Sequence, residues 1–126
     1  MRKEVRTSGA PKPIGPYSQG LETDSQVYCS GQVGADPVTG NLVEGVVAQT
    51  ARALANLEDV LKSVGLGLGD VVKTTVFMVD LSEFAAMNEE YSRHFSPPFP
   101  TRSTVQVAAL PKGARVEIEA IAVKRA

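Results

Sequence analysis

The stretch from Val71 to Val79 does more than any other to limit what this chain can become. It is rich in β-branched and aromatic residues, the composition of a strand. In an extended chain Val72, Val76 and Met78 fall on one side, and Val71, Phe77 and Val79 on the other. A strand that is apolar on both sides must be covered twice. Two helical segments can supply one cover. Between about Val43 and Val64 the residues Val47, Ala51, Leu54, Leu57, Leu61 and Val64 recur at steps of three and four, with Gln49, Arg52, Asn56, Asp59 and Lys62 at other positions. That spacing predicts an amphipathic helix, stopped by Gly65. A second helix is expected from Asp80, with Glu83 placed to complete a capping box. Its inner stripe is Phe84, Met87, Tyr91 and Phe95, and Pro97-Pro98 ends it. No further segment remains for the second face, so the pattern predicts that another copy of the chain covers it.

The rest of the chain fits around that strand as one domain over 1–126. At 13.3 kDa the chain is long enough to bury roughly two-thirds of its extended surface. Gly9 to Pro16 reads as an ordered loop ending at Tyr17. Gln26 to Val33 is a strand interrupted by Gly31, the mark of a bulge or of close approach by a ligand. Asp36 to Asn41 is turn chemistry. Thr101 to Ala109 and Arg115 to Lys124 read as two strands joined by Leu110-Pro111-Lys112-Gly113-Ala114, hence a hairpin. The expected architecture is α+β, a mixed sheet with two helices on one face.

Thirteen basic against fourteen acidic side chains give a net charge of −1, which disfavours non-specific nucleic-acid binding. Cys29 stands alone, so an intrachain disulfide and a thiolate zinc site are excluded, and a reducing compartment suits the chain. No apolar run exceeds four residues, which argues against a membrane span or signal-peptide core and points to a cytoplasmic location. His94 is the only histidine, and it is expected to cap the last carbonyls of its helix rather than to join a catalytic triad. Phosphate-loop and dinucleotide fingerprints are absent from the sequence.

In the expected hairpin Val105 pairs with Ile118 and Val107 with Val116, facing the core. Arg102, Thr104, Gln106, Glu117 and Glu119 then share the other face, the one assigned to a neighbouring subunit. Such groups are rarely buried unpaired. They read either as an intersubunit salt bridge or as a small pocket in which Arg102 grips a carboxylate bidentately while a glutamate handles a proton or a water. Tyr17 and Ser30-Gly31 read either as a loop anchor and a bulge or as parts of that pocket.

Five ordered motifs span almost the whole chain: Ile14-Gly15-Pro16-Tyr17-Ser18-Gln19, Ser30-Gly31-Gln32, Gly69 to Val76, Pro100-Thr101-Arg102-Ser103, and Leu110-Pro111-Lys112 with Val116-Glu117-Ile118-Glu119-Ala120. Together they resemble the RidA/YjgF family of reactive-intermediate deaminases. The resemblance implies a chorismate-mutase-like fold, a homotrimer with a central barrel and ligand clefts between subunits. It also implies hydrolysis of 2-imino acids such as 2-iminopropanoate and 2-iminobutanoate to 2-keto acids and ammonia, without metal or cofactor. By motif Arg102 fixes the substrate carboxylate and Glu117 is the acid/base group, with Glu119 in reserve because the hairpin register sets it nearer Arg102. Tyr17 closes the pocket. Ser30, Gly31 and Asn88 lie beside the substrate, and Thr104 stands where many bacterial members have cysteine. An endoribonuclease or translation inhibitor, and a metabolite-binding module without turnover, are the alternatives.

Overall fold

The computed structural model describes residues 1–125. Six strands form one mixed sheet: β1 (Lys3–Val5), β2 (Gly20–Glu22), β3 (Gln26–Val33), β4 (Val71–Met78), β5 (Thr101–Gln106) and β6 (Val116–Val123), in the order β1-β2-β3-β6-β4-β5. Two helices, α1 (Val46–Lys62) and α2 (Phe84–Ser92), complete the α+β architecture. Gly65, at φ 78°, ends the α1 segment as expected: the Leu66 N–H reaches back to the Leu61 carbonyl at 3.0 Å. β1 and β2, three residues each, are too short to show a period in the sequence.

The hairpin expectation is overturned. β5 pairs with β4 in parallel, and β6 runs antiparallel between β3 and β4. The segment β4–α2–β5 is a βαβ crossover, in which the intervening helix lets two strands run the same way. Gln106 and Val116 then lie on either side of Met78, and the chain passes over the end of β4 to get from one to the other. The turn Pro111–Gly113 makes that passage with Lys112 at φ 61° and Gly113 at φ 73°.

Inside the sheet, Val76, Met78, Val116, Ile118, Ala120 and Ala122 join Leu54, Leu57, Leu61 and Met87 in the core. Two details differ from the periodic reading. A bulge between Val71 and Lys73 turns Val71 inward and leaves Val72 exposed. On α1, Val47 faces out while Gln49 and Asn56, expected on polar positions, are buried. Each is satisfied there. Gln49 donates to the Val43 carbonyl and accepts from the Arg115 N–H; Asn56 donates to the Val33 and Ala35 carbonyls and accepts from Arg52 Nε. They fasten α1 to the loop after β3 and to the start of β6.

The face of the sheet away from the helices shows Tyr28 and Val105 to solvent, with Phe77 half-buried between β5 and β6. It is the face left uncovered by the chain's own segments.

Candidate functional site

The structure divides the expected site residues into two groups. Tyr17, Ser30, Gly31 and Glu117 line one open groove of about 720 Å³, together with Lys12 and Lys112. Arg102 and Thr104, on edge strand β5, share their register with Thr74 and Val76, whose side chains enter the core beside the helices. Glu117 and Glu119 share theirs with Phe77 and Thr75, on the open face. Arg102 and Glu117 therefore project from opposite faces of one sheet, with β4 between their strands. Two strand spacings put those strands about 9.6 Å apart. The expectation that Arg102, Thr104 and Gln106 share a face with the glutamates is thus corrected, because it rested on the hairpin pairing. Gln106 instead accepts a hydrogen bond from the Leu81 N–H at 2.9 Å.

The groove is shaped by a glycine. Ser30 and Gly31 form a bulge in β3 where pairing with β6 shifts between Cys29 and Gln32. A Cβ on Gly31 would stand 2.7 Å from Oε2 of Glu117, so the carboxyl rests where only hydrogen leaves room. Partial burial pushes the Glu117 carboxyl above the usual range, and the Glu119 charge adds to that push. Glu119 itself is exposed and lines an adjoining groove with Lys73 and Thr75, of which Tyr17 and Ser30 also form part. Glu117, and not Glu119, is the glutamate that packs against Gly31.

Ser30 donates its hydroxyl hydrogen to the Ser18 carbonyl at 2.6 Å, which leaves its oxygen lone pairs as acceptors. Tyr17 is exposed on a loop turned by Gly15 at φ 117°, and its hydroxyl oxygen takes a long contact of 3.4 Å from the Ile14 N–H. Behind the loop lies buried Gln19. Its Oε1 accepts from the Thr7 N–H at 2.7 Å, and its Nε2 lies within 3.2 Å of the carbonyls of Thr7, Ala10 and Pro11. It is the positioning residue that the reading of the site left out, and its one signal was its place two residues after Tyr17. Lys112 closes the far rim by donating to the Gly40 carbonyl at 2.7 Å.

The other group is built on an edge. The Arg102 guanidinium lies 4.8 Å from the Tyr91 ring centre and 5.6 Å from that of Phe84, both on α2. Among the described residues no carboxylate comes within ion-pair distance of it. Asn88 falls between Phe84 and Tyr91 at helical spacing, on the same side of α2. Thr104 Oγ1 is buried without a hydrogen-bond partner, an unsatisfied polar atom beside Arg102. His94, expected to cap carbonyls, instead places Nε2 2.7 Å from Glu90 Oε2, and its neighbour Arg93 binds Glu89 and Glu90.

Residues 7–124 match the family model described as Endoribonuclease L-PSP, and the chain belongs to that family, the RidA/YjgF proteins. It is 50% identical to the mouse 2-iminobutanoate/2-iminopropanoate deaminase over 98% of this chain and 93% of that one. It is 48% identical to the Salmonella typhimurium protein of the same name, over 99% of this chain and 100% of that one. Among solved structures, Escherichia coli TdcF with bound serine superposes with a TM-score of 0.93 at 44% identity, covering 98% of this chain and 99% of that one. RidA from an Antarctic Psychrobacter gives 0.94 at 44%, covering 97% and 99%.

Proposed function

We propose that the chain is a deaminase of 2-imino acids whose complete site forms where the β5–α2 edge of one copy meets the Glu117 groove of another. The observation that carries this is the Arg102 guanidinium, half-buried on two rings and without a carboxylate among the described residues. A planar cation so placed is a receptor for a carboxylate. Relatives named 2-iminobutanoate/2-iminopropanoate deaminase, about half identical over nearly the whole chain, supply the reaction.

With the substrate carboxylate on Arg102, the imine carbon faces the Glu117 carboxyl of the second copy. On the protonated imine, Glu117 takes a proton from water as the water oxygen bonds to C2 and the C=N π pair moves to nitrogen, giving a neutral carbinolamine. It gives that proton to nitrogen and takes the hydroxyl proton as the C–N bond breaks and C=O forms; ammonia and the 2-keto acid leave, and the last proton passes from Glu117 to ammonia or water. A carboxyl raised above its usual range suits both transfers better than an ordinary one. Ser30 Oγ accepts from the imine N–H, Thr104 and Asn88 contribute polar contacts beside Arg102, and Tyr17 closes the mouth.

The two halves are different surfaces, and we take the assembly that brings them together to be the homotrimer that the family resemblance implies. The uncovered sheet face with Tyr28, Phe77 and Val105 packs inside that homotrimer. Light scattering should give a mass about three times 13.3 kDa. The decisive test mixes two inactive variants, Arg102→Ala and Glu117→Ala, by joint refolding. Random assembly should restore about a quarter of the sites, and activity with them. No recovery would place both residues in one copy's site and end the proposal. The family description also names an endoribonuclease. Cleavage of RNA by nuclease-free protein, lost in Glu117→Ala, would favour that reading instead.

A further inference from the structure

Arg102 sits on an edge strand with a single neighbour, β4, and a long side chain there is free to sweep through many rotamers unless something holds it. The usual restraint for an arginine is a carboxylate, and this chain uses it elsewhere: Arg115 places Nη2 2.6 Å from Glu83 Oε1, and Arg125 places Nη2 2.7 Å from Asp70 Oδ2. For Arg102 that restraint would defeat the purpose, since a fixed carboxylate would both occupy the guanidinium and repel an incoming one. A ring attracts the cation through its face and competes for none of its N–H groups.

Tyr91 is built to be such a ring. It is only 5% exposed and packs on Phe95 at 4.6 Å between ring centres. Its hydroxyl lies 2.7 Å from Thr74 Oγ1, and Thr74 is the β4 residue in register with Arg102. The contacts close a circuit. Strand pairing fixes Arg102 beside Thr74, Thr74 fixes the Tyr91 hydroxyl, and the Tyr91 ring lies beneath the Arg102 head. Burial holds the phenol in its neutral form, so the ring itself brings no negative charge beside Arg102.

The geometry points to Tyr91 as the positioning residue that aims Arg102, with Phe84 as the outer half of the same aromatic platform. The inference rests on Arg102 as the carboxylate receptor. It assigns the aim of the receptor to a residue that never touches substrate.

The test compares Tyr91→Phe, Tyr91→Leu and Phe84→Leu with wild type. Steady-state rates are read with an imine generated in a coupled dehydratase reaction, and binding of 2-oxobutanoate and of its uncharged amide is read by calorimetry. Tyr91→Leu is expected to raise KM and weaken 2-oxobutanoate binding about tenfold, with kcat within about threefold, the pattern of lost uniform binding. Binding of the amide should not change. Tyr91→Phe, which keeps the ring, should stay within about twofold of wild type in KM. A variant that merely folded less well would lose active sites, lowering kcat at constant KM, and that outcome overturns the proposal. So does an unchanged KM in Tyr91→Leu. If Tyr91→Leu does not fold, Phe84→Leu decides: a KM raised about threefold supports the platform, and an unchanged one overturns it. Wild-type protein that binds 2-oxobutanoate without accelerating hydrolysis would refute the deaminase reading alone, because the calorimetric ratios still judge Tyr91.

Discussion

The two halves of the site hold their charges by opposite means. At the β5–α2 edge a guanidinium lies on aromatic rings with no counter-charge among the described residues, which keeps its attraction available. In the groove a carboxyl lies in the space that Gly31 leaves open, and partial burial weakens its hold on charge. On the proposed reading the first half binds an anion and the second exchanges a proton. Arg115 shows what the chain does when a cation has a purely structural task. Its guanidinium is spent on Glu83, which ties β6 to the turn before α2.

The contrast can be broken at either end. The largest effect is expected from Arg102→Ala, which removes a bidentate charged contact and should lower kcat/KM by about a thousandfold, or about 4 kcal/mol, while the oligomer persists. Activity equal to wild type would leave the edge half without a role. Glu117→Gln should come next, with kcat reduced about a hundredfold and KM little changed.

The same substitution sharpens the electrostatic side of the contrast. Because the folded Glu117 carboxyl is raised, the acid limb of the rate profile should lie above the ordinary carboxylate range and vanish in Glu117→Gln. The native state also binds this proton more tightly than the unfolded chain does. Glu117 therefore subtracts stability as pH rises from its unfolded pKa through its folded one, and Glu117→Gln should melt higher than wild type at pH 7 and nearly equal to it at pH 4. Melting curves whose difference has the reverse sign would show that the carboxyl is stabilised as an anion.

Gly31→Ala is a smaller intrusion. Its Cβ would meet the Glu117 carboxyl while the backbone stays within ordinary strand geometry, so kcat should fall about tenfold with secondary structure intact by circular dichroism. The smallest effect belongs to Cys29, which lies directly before the bulge but inside the core. Burial pushes its thiol up to about 12, so alkylating reagents should leave the native protein unmodified and active at pH 8, and should react only after unfolding. Rapid labelling of folded protein would show that β3 opens there.

How much of this was legible beforehand varies with the range of the interaction that decides it. The span of β3, its Gly31 bulge, the Gly65 helix stop and the Asp36 turn follow from neighbours in sequence, and the structure keeps them all. The hairpin failed because a short connection between two strands looks the same whether they pair with each other or flank a third. The α1 stripe was displaced because Gln49 and Asn56 find partners from β3 and β6 that no helical period reveals. The residue types of the site were readable from their motifs. Their division between two faces was not.

By itself, the sequence determined which chemical groups this protein possesses: an arginine and two glutamates on strands, a glycine interrupting another strand, and a β4 too apolar to face water on either side. Those follow from side-chain chemistry and local period, which need no third dimension. Only the tertiary structure decided that β4 lies between β5 and β6. That one insertion turns Arg102 toward the helices and Glu117 away from them, because side chains alternate across a strand and pairing sets which side they share.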